Sequence, residues 1–441
     1  MTPILGVTAS QISGHLFTSP YWILTEQSSN WSYQSGIALD SSLNIHTVNG
    51  MEIEKFNTNA VIEWQRLPDN MSGSYGFSDS IQVDASGNVY AVGTSNDAII
   101  GTIIVKYNSS GAIQWMRKLS NINLVAGTSI ALDSSANIYI AGYYTNTSSG
   151  DNAFIAKYNT SGTIQWQRSI ADTNPLGQGD AYDYAWSLAA DSSGNVYVAG
   201  EYLTGGSLGN FNATFSGFIS KYNTSGTIQW QRAISGGIET RCFALALDSS
   251  ANVYVGGSYS DTNIYQSFIA KYNTSGTIQW QRALKNSPLA NMVTTSIAVD
   301  SSGNVYNGGW YEIENQINNQ SMFIAKYNTS GVIQWQRSIV KTGTVLAQAN
   351  GLKSDSSNNI YICGVLNGIT DYCQFILKLP NDGSKTGTYA GVTYSASAFT
   401  DVIGPLTSST ISNTLSTTSF VSATQTATDT EASNSFGKVS I

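Results

Sequence analysis

The sequence predicts an all-β chain, a seven-bladed β-propeller of four-stranded antiparallel blades with a Ser/Thr-rich C-terminal tail. Internal repetition, period-two strand patterning and the chemistry of the recurring turns predict it. The first module, Phe154-Ile155-Ala156-Lys157-Tyr158-Asn159-Thr160-Ser161-Gly162-Thr163-Ile164-Gln165-Trp166-Gln167-Arg168, returns almost unchanged at 218–232, 268–282 and 323–337, and looser copies end at Trp64 and Trp115. The second, Ala131-Leu132-Asp133-Ser134-Ser135-Ala136-Asn137-Ile138-Tyr139-Ile140-Ala141-Gly142, recurs around Asp40, Asp84, Asp191, Asp248, Asp300 and Asp355, which makes seven copies.

Successive anchor aspartates lie 44 to 58 residues apart, room for four short strands. Asn-Ile-Tyr-Ile-Ala-Gly and Thr-Ile-Gln-Trp-Gln-Arg alternate with period two and are rich in β-formers, and helical periodicity is absent. Between paired strands lie Asp-Ser-Ser-Gly-Asn and Tyr-Asn-Thr-Ser-Gly-Thr. There Asp or Asn bonds its own backbone and Gly takes positive φ. Four strands per period describe a propeller blade.

Ring closure has a spacing signature. Trp115 precedes Asp133 by 18 residues, Trp230 precedes Asp248 by 18, and Trp22 precedes Asp40 by 18. Residues 20–25 therefore read as the closing strand of the last blade, in whose own copy Gly387 stands where Trp is expected; the exchange removes a free edge. The competing closure uses Gly387-Thr388-Tyr389-Ala390-Gly391-Val392-Thr393-Tyr394. The domains follow: a docking segment at 1–19, the propeller at 20–394 and a tail at 395–441, where Ser, Thr and Ala dominate. Leu406, Ile411, Leu415 and Phe420 are spaced too widely there for a strand or helix face, so the tail reads as extended, disordered or ordered against a partner.

Composition excludes several roles. The 441 residues are 41% hydrophobic and 11% charged, with 25 Tyr and 10 Trp, which is material for a large core. A net charge of −8 argues against nucleic acid as partner. No apolar run reaches the roughly 18 residues of a membrane helix, and the first ten residues carry no Lys or Arg, as a secretory signal would. The chain is therefore expected to fold in a cytoplasm and to insert in no membrane. Of the three cysteines, Cys242, Cys363 and Cys373, the last two read either as free thiols or as a pair across one hairpin.

The recurring polar residues read as structure. Each turn at Asp40, Asp84, Asp133, Asp191, Asp248, Asp300 and Asp355 offers one carboxylate among neutral neighbours, which suits turn capping and not a calcium loop. Asn159, Asn223, Asn273 and Asn328 match the glycosylation acceptor pattern but sit inside hairpin turns. Trp64, Trp115, Trp166, Trp230, Trp280 and Trp335 share one blade position and read as interblade packing. His15 and His46 are the two histidines, and no Ser-His-Asp, Cys-His or zinc spacing is present. The expectation is a non-enzyme with no catalytic residue, metal or cofactor. The one carboxylate pair considered for glycoside hydrolysis, Asp180 and Asp183, reads as solvated loop residues.

The turns expected on one face are near-copies, whereas the loops expected on the other differ in length and composition. The differing set carries Tyr143, Tyr144, Tyr182, Tyr184, Tyr202, Phe211, Phe215, Tyr259, Tyr265, Trp310, Tyr311 and Tyr372. Aromatic rings beside Asn, Asp and Gln suit a sugar or protein surface; they equally suit the filling of loop cores.

With Asp-Ser-Ser-Gly-Asn-Val-Tyr-Val-Ala-Gly at 191–200 and the module at 154–166, the chain resembles the seven-bladed propeller repeat family called SBBP, over about residues 31–380. That resemblance implies the fold and leaves activity open. The opening Pro3-Ile4-Leu5-Gly6-Val7-Thr8-Ala9-Ser10-Gln11 and the stretch 378–389 are similar to segments of virion proteins of tailed, particularly marine, bacteriophages, whose fibres are often trimers. The resemblance implies a structural virion protein, a tail fibre or other tail or capsid appendage, assembled in the host cytoplasm. It would meet other virion proteins through its termini and a host surface glycan or protein through its loops, as a monomer or homo-oligomer. The alternatives are a bacterial cell-surface or exported adhesin and a polysaccharide-cleaving enzyme.

Overall fold

A computed structural model of the chain describes residues 21–28, 34–49, 52–68, 81–94, 100–120, 124–146, 150–171, 181–205, 213–261, 264–287, 289–313, 319–341, 344–368, 372–389, 392–397, 399–402 and five further tail strands. Among these residues the secondary structure is all β, with no helix. The docking segment expected at 1–19 lies outside them.

The strands gather into four-stranded antiparallel units. The fifth shows the pattern: Glu239–Leu247, Val253–Ser260, Tyr265–Tyr272 and Ile278–Lys285, here strands A to D from inside outward. The units occupy 34–68, 81–120, 125–171, 181–235, 239–285 and 292–341; a seventh is formed by three strands within 344–379 and completed by Trp22–Ser28. That N-terminal strand pairs antiparallel with Tyr372–Leu379, placing Leu24 opposite Ile376. Short parallel pairing of Gly150 with Ala181 and Asp151 with Tyr182 joins the third and fourth units into one sheet.

The alternation along each strand points every second side chain at a neighbouring unit, so the core lies between units. Tyr197, Ala199 and Ile219 of the fourth unit pack with Val253, Val255 and Phe268 of the fifth. Trp22, Tyr361, Cys363 and Ile376 of the seventh share a core with Ile37, Ile45, Phe56 and Ala60 of the first. Each A strand contacts the next, and Thr344–Ser354 contacts Gln34–Leu39. The arrangement is propeller-like.

Two repeated devices hold it. In the A–B turn of the fourth unit, Asp191 Oδ1 accepts the backbone N–H groups of Ser193 and Asn195, both at 2.9 Å. Its Oδ2 accepts Asn195 Nδ2 at 2.8 Å and the Tyr197 hydroxyl at 3.3 Å. All seven aspartates accept the backbone N–H groups two and four residues ahead. In the first unit His46 replaces the tyrosine and lies 3.4 Å from Asp40; burial pushes its pKa down to about 4, against the opposing pull of Asp40.

The second device is a latch between units. In the first six units the D-strand tryptophan donates its indole N–H to a backbone carbonyl in the C–D turn of the next unit, at 2.9 to 3.3 Å, from Trp64 onto Ser109 through to Trp335 onto Asn381. In five of these six units the arginine two residues on lies over the indole, 5.3 to 5.8 Å from its centroid. The ring rests on a glycine of that turn. At Gly226, where φ is +73°, an added Cβ would stand 2.7 Å from Trp166, so the residue must be small as well as left-handed.

Two readings of the sequence are corrected. Gly387–Tyr389 and Val392–Ala396 form a hairpin on the D strand of the sixth unit, Ile333–Lys341, and do not complete the last. The tail orders on the chain's own units: Thr400–Val402, Thr407–Ser409, Thr414–Ser416, Val421–Thr424, Asp429–Glu431 and Gly437–Ser440 pair antiparallel with the outer strands of the fifth, fourth, third, second, first and seventh units. A ladder uses backbone groups, so it needs no continuous apolar run.

Register also decides the cysteine question. Cys363 stands opposite Ile376, three rungs from Cys373. At about 3.3 Å per residue that is roughly 10 Å, beyond the roughly 7 Å limit for a bridge. Cys242 is buried, and burial pushes its thiol pKa up.

Candidate functional site

The irregular side of the molecule lies at the B–C and D–A connections, opposite the Asp and Asn turns. Its most developed region spans the third to sixth units and is built on a repeated β-bulge. In each A strand from the third unit to the seventh, one residue is skipped in the register: Thr128, Trp186, Phe243, Thr295 and Asn350. A bulge re-aims a side chain. At Thr128 and Thr295 the hydroxyl donates to the next A strand, at the carbonyls of Ala185 and Ala349, both at 2.5 Å. At Trp186 and Phe243 the same position holds an aromatic ring, and the two centroids are 6.3 Å apart.

Around that pair the aromatic groups continue. Tyr184 stacks on Trp186 at 5.3 Å with planes 17° apart, and Tyr143 meets Tyr184 edge-on at 4.7 Å. The Tyr184 hydroxyl donates to Asp151 Oδ2 at 2.9 Å, and Thr145 donates to Asp151 Oδ1 at 2.7 Å. Rings fixed by stacking and by hydroxyl bonds present a preorganised surface. Tyr143, Tyr184, Trp186 and Phe243 all keep part of their surface in solvent.

A charged network adjoins the rings. Glu201 is 2% exposed and lies beside Trp186, 3.2 Å from Arg241 Nε. Arg241 also bonds Glu239 and lies over the Phe215 ring at 4.8 Å. The Tyr265 hydroxyl donates to the second oxygen of Glu239. From Tyr265 the chain of contacts runs through its backbone N–H to Asn291 Oδ1 (2.8 Å), and from the Asn291 N–H to Glu312 Oε2 (3.1 Å). Burial pushes the Glu201 pKa up to about 7, outweighing the attraction of Arg241. Near neutral pH this group therefore holds or releases a proton with little change in conditions.

The expected binding residues divide. Tyr143, Tyr184, Phe215 and Tyr265 belong to this cluster. Tyr144 bonds Ser169 Oγ at 3.0 Å and packs on the core, and Tyr202 packs on the core between the third and fourth units. Tyr259 is 1% exposed with its hydroxyl on Gln266, and Tyr311 is buried against Phe399 at 5.0 Å. Tyr182 and Trp310 are half-buried at strand ends. Phe211 and the Tyr372 side chain lie outside the described residues. Asp183 is no solvated loop residue: it sits in Ala181–Ala190 opposite Tyr202, 2% exposed, because the strand begins earlier than its polar sequence suggests. Asp180 lies outside the described residues.

Sequence reading missed Trp186, Phe243, Glu201, Glu239 and Arg241 as one site. A signal for the first two exists. They stand five residues before Asp191 and Asp248, in a repeat column that otherwise holds Ser35, Asp79, Thr128, Thr295 and Asn350. The central space between A strands is lined by residues such as Gln82, Ser129, Ser187, Ser296 and Lys353, and its cavity volume is about 70 Å³. That is room for a few waters.

No family model matches the chain. Over 269 residues it is 26% identical to an uncharacterized WD repeat-containing protein of Acanthamoeba polyphaga mimivirus; the match covers 60% of this chain and 14% of that protein. Among solved structures, the full extracellular region of plexin A4 superposes with a TM-score of 0.52 at 8% identity, covering 81% of this chain and 51% of that one. A gluconolactonase from Xanthomonas campestris matches with a TM-score of 0.38 at 9% identity, over 82% of this chain and 89% of its own. The repeated strands give the chain its propeller-like fold, and it shares sequence with a viral repeat protein over a small part of that protein's length.

Proposed function

We propose that the units form a closed seven-bladed propeller of the SBBP type, and that the chain is a non-enzymatic structural protein of a virion, carried on the tail or capsid of a tailed phage. Its irregular face recognises a host surface glycan or protein. One observation carries this reading: the partly exposed Tyr143–Tyr184–Trp186–Phe243 group and the Arg241 network lie on one side, while the other is occupied by near-identical turns whose polar groups are spent on their own backbone. Aromatic faces beside an arginine and carboxylates suit sugar rings and their hydroxyls, or a protein loop. The viral relative supports the setting. Docking to other virion proteins falls to segment 1–19, since the C-terminal strands are engaged with the chain's own sheets, and the site of action is the particle.

The test has two parts. Mass spectrometry of purified particles should find the chain at a fixed copy number; recovery from washed bacterial envelopes instead would favour the adhesin. Particles carrying Trp186→Ala with Arg241→Ala should adsorb to host cells at least about tenfold less well, the loss expected from removing two central contacts; unchanged adsorption would refute the assignment of this face.

A second reading has its own observation. Glu201, with its pKa near 7 and within one arginine of Glu239, could serve as the proton donor of a polysaccharide-cleaving enzyme in place of the Asp180–Asp183 pair. Shortening of host polysaccharide by the purified protein, abolished by Glu201→Gln, would establish that reading.

A further inference from the structure

The tail strands pair with the outer strands at a constant interval. The residue three positions after each latch tryptophan stands opposite Ser395 in the sixth unit, then Val402, Ser409, Ser416, Ala423 and Thr430 in the fifth to the first. In the closing strand Thr25, three after Trp22, stands opposite Gly437. Each step is seven residues, with no slip over the whole circuit.

The sequence carries the same period. Two positions before these residues stand Thr393, Thr400, Thr407, Thr414, Val421, Thr428 and Ser435, which are β-branched with one exception. Seven residues reach at most about 25 Å, enough to climb one short strand and cross to the next unit with little slack. The first step is anchored in the core: Phe399 is buried against Tyr311 and Phe323, and its carbonyl accepts Gln336 Nε2 at 2.9 Å.

We infer that the tail strands from Val392–Ala396 to Gly437–Ser440 are a strap ruled in sevens, one period per unit, that pairs with the outer strand of each unit and clamps the N-terminal closing strand. Trp22–Ser28 is then held from both sides, by Tyr372–Leu379 within the sheet and by Gly437–Ser440 outside it. The strap runs opposite to the order of the units, so the last part of the chain locks the first. Pairing through backbone groups makes its strands interchangeable, and the spacing alone decides which strand meets which unit. This inference is independent of the proposed function.

Deleting residues 414–420 from the full-length chain tests it, with deletion of 435–441 as companion and backbone hydrogen exchange as readout. A strap ruled in sevens slides by one unit, so 421–424 falls on the third unit, 437–440 falls on the first, and the closing strand is uncovered. Both deletions should then speed exchange in 22–28 by at least about tenfold while 164–171 stays protected. Faster exchange in 164–171 with 22–28 unchanged in the first deletion would overturn the inference, because pairing would then be specific to each segment. Free exchange of the tail strands in the unaltered protein would overturn it too, as would light-scattering masses showing that the tail is traded between copies.

Discussion

Glu54 lies on the C strand of the first unit, with none of its surface exposed. The third unit carries Ala156 at this position and the fourth Ser220. Gln65 Nε2 donates to its Oε1 at 2.8 Å and Thr47 Oγ1 to its Oε2 at 3.0 Å, and among the described residues no cation bonds it. Burial pushes its pKa from 4.5 up to about 7, against the pull of the Gln65 bond. A carboxyl with a raised folded pKa leaves stability intact below its unfolded value and removes it as pH climbs through the folded one. A difference of about 2.5 units at roughly 1.4 kcal/mol each amounts to about 3 kcal/mol near pH 8 and about 1 kcal/mol near pH 5. Glu54→Gln keeps the shape, accepts from Gln65 and can donate to Thr47, so it imitates the protonated acid at every pH. Urea unfolding of both proteins should show the variant more stable by about 2 to 3 kcal/mol near pH 8, with the gap narrowing by about 2 kcal/mol towards pH 5. Other titrating groups occur in both proteins and cancel. A gap that does not change with pH, or a less stable variant near pH 8, would refute the reasoning.

Gly226→Ala should destabilise by about 2 to 4 kcal/mol in the same assay, the sum of left-handed strain and contact with Trp166, whereas Ala60→Gly, where the first unit already holds a methyl at φ 59°, should change stability by less than about 1 kcal/mol. Trp22→Ala should cost about 3 to 5 kcal/mol, and exchange should then accelerate in the first and seventh units before the others. Arg241→Ala removes the cation beside Glu201, so the Glu201 pKa, followed by carboxyl-carbon NMR, should climb above about 7; a fall would mean that Arg241 keeps water from Glu201 more than its charge attracts it.

The fold was legible where one residue plays one part many times. Asp191 and Trp166 could be assigned from sequence because their equivalents share the same neighbours, and an edge cap or an indole on a glycine turn depends only on those neighbours. The candidate site was legible in outline. Aromatic loop ends marked the side, but composition does not distinguish Tyr259, which turned inward to Gln266, from Tyr184, which remained at the surface; the sheet twist and the neighbouring strand decide that. Trp186 and Phe243 escaped because they sit within a strand, where alternation assigns a face and a single skipped residue reassigns it. The tail escaped for the opposite reason. Its period of seven matches neither strand nor helix, because it measures the distance between units and not the geometry of an element.

The first unit is where the stack of units should open first. It departs from the other units at three buried positions: His46 for tyrosine, Glu54 for a small or apolar residue, and Ala60 for a left-handed glycine. The polar trio Thr47, Glu54 and Gln65 occupies space that the third unit fills with Ile140, Ala156 and Gln167. A buried carboxylate costs more than the packing it replaces unless it is protonated, so the joint between first and seventh units is weakest above neutral pH. That joint is also where the closing strand and the end of the tail converge. Hydrogen exchange from near pH 6 to near pH 8, corrected for intrinsic rates, should therefore show protection falling in 34–68 and 22–28, and around Glu201, whose carboxyl titrates in the same window, with 292–341 unaffected. Glu54→Gln should abolish the fall in 34–68 and 22–28; uniform loss of protection across the units would mean that they share one cooperative transition and that the first is no weaker than the rest.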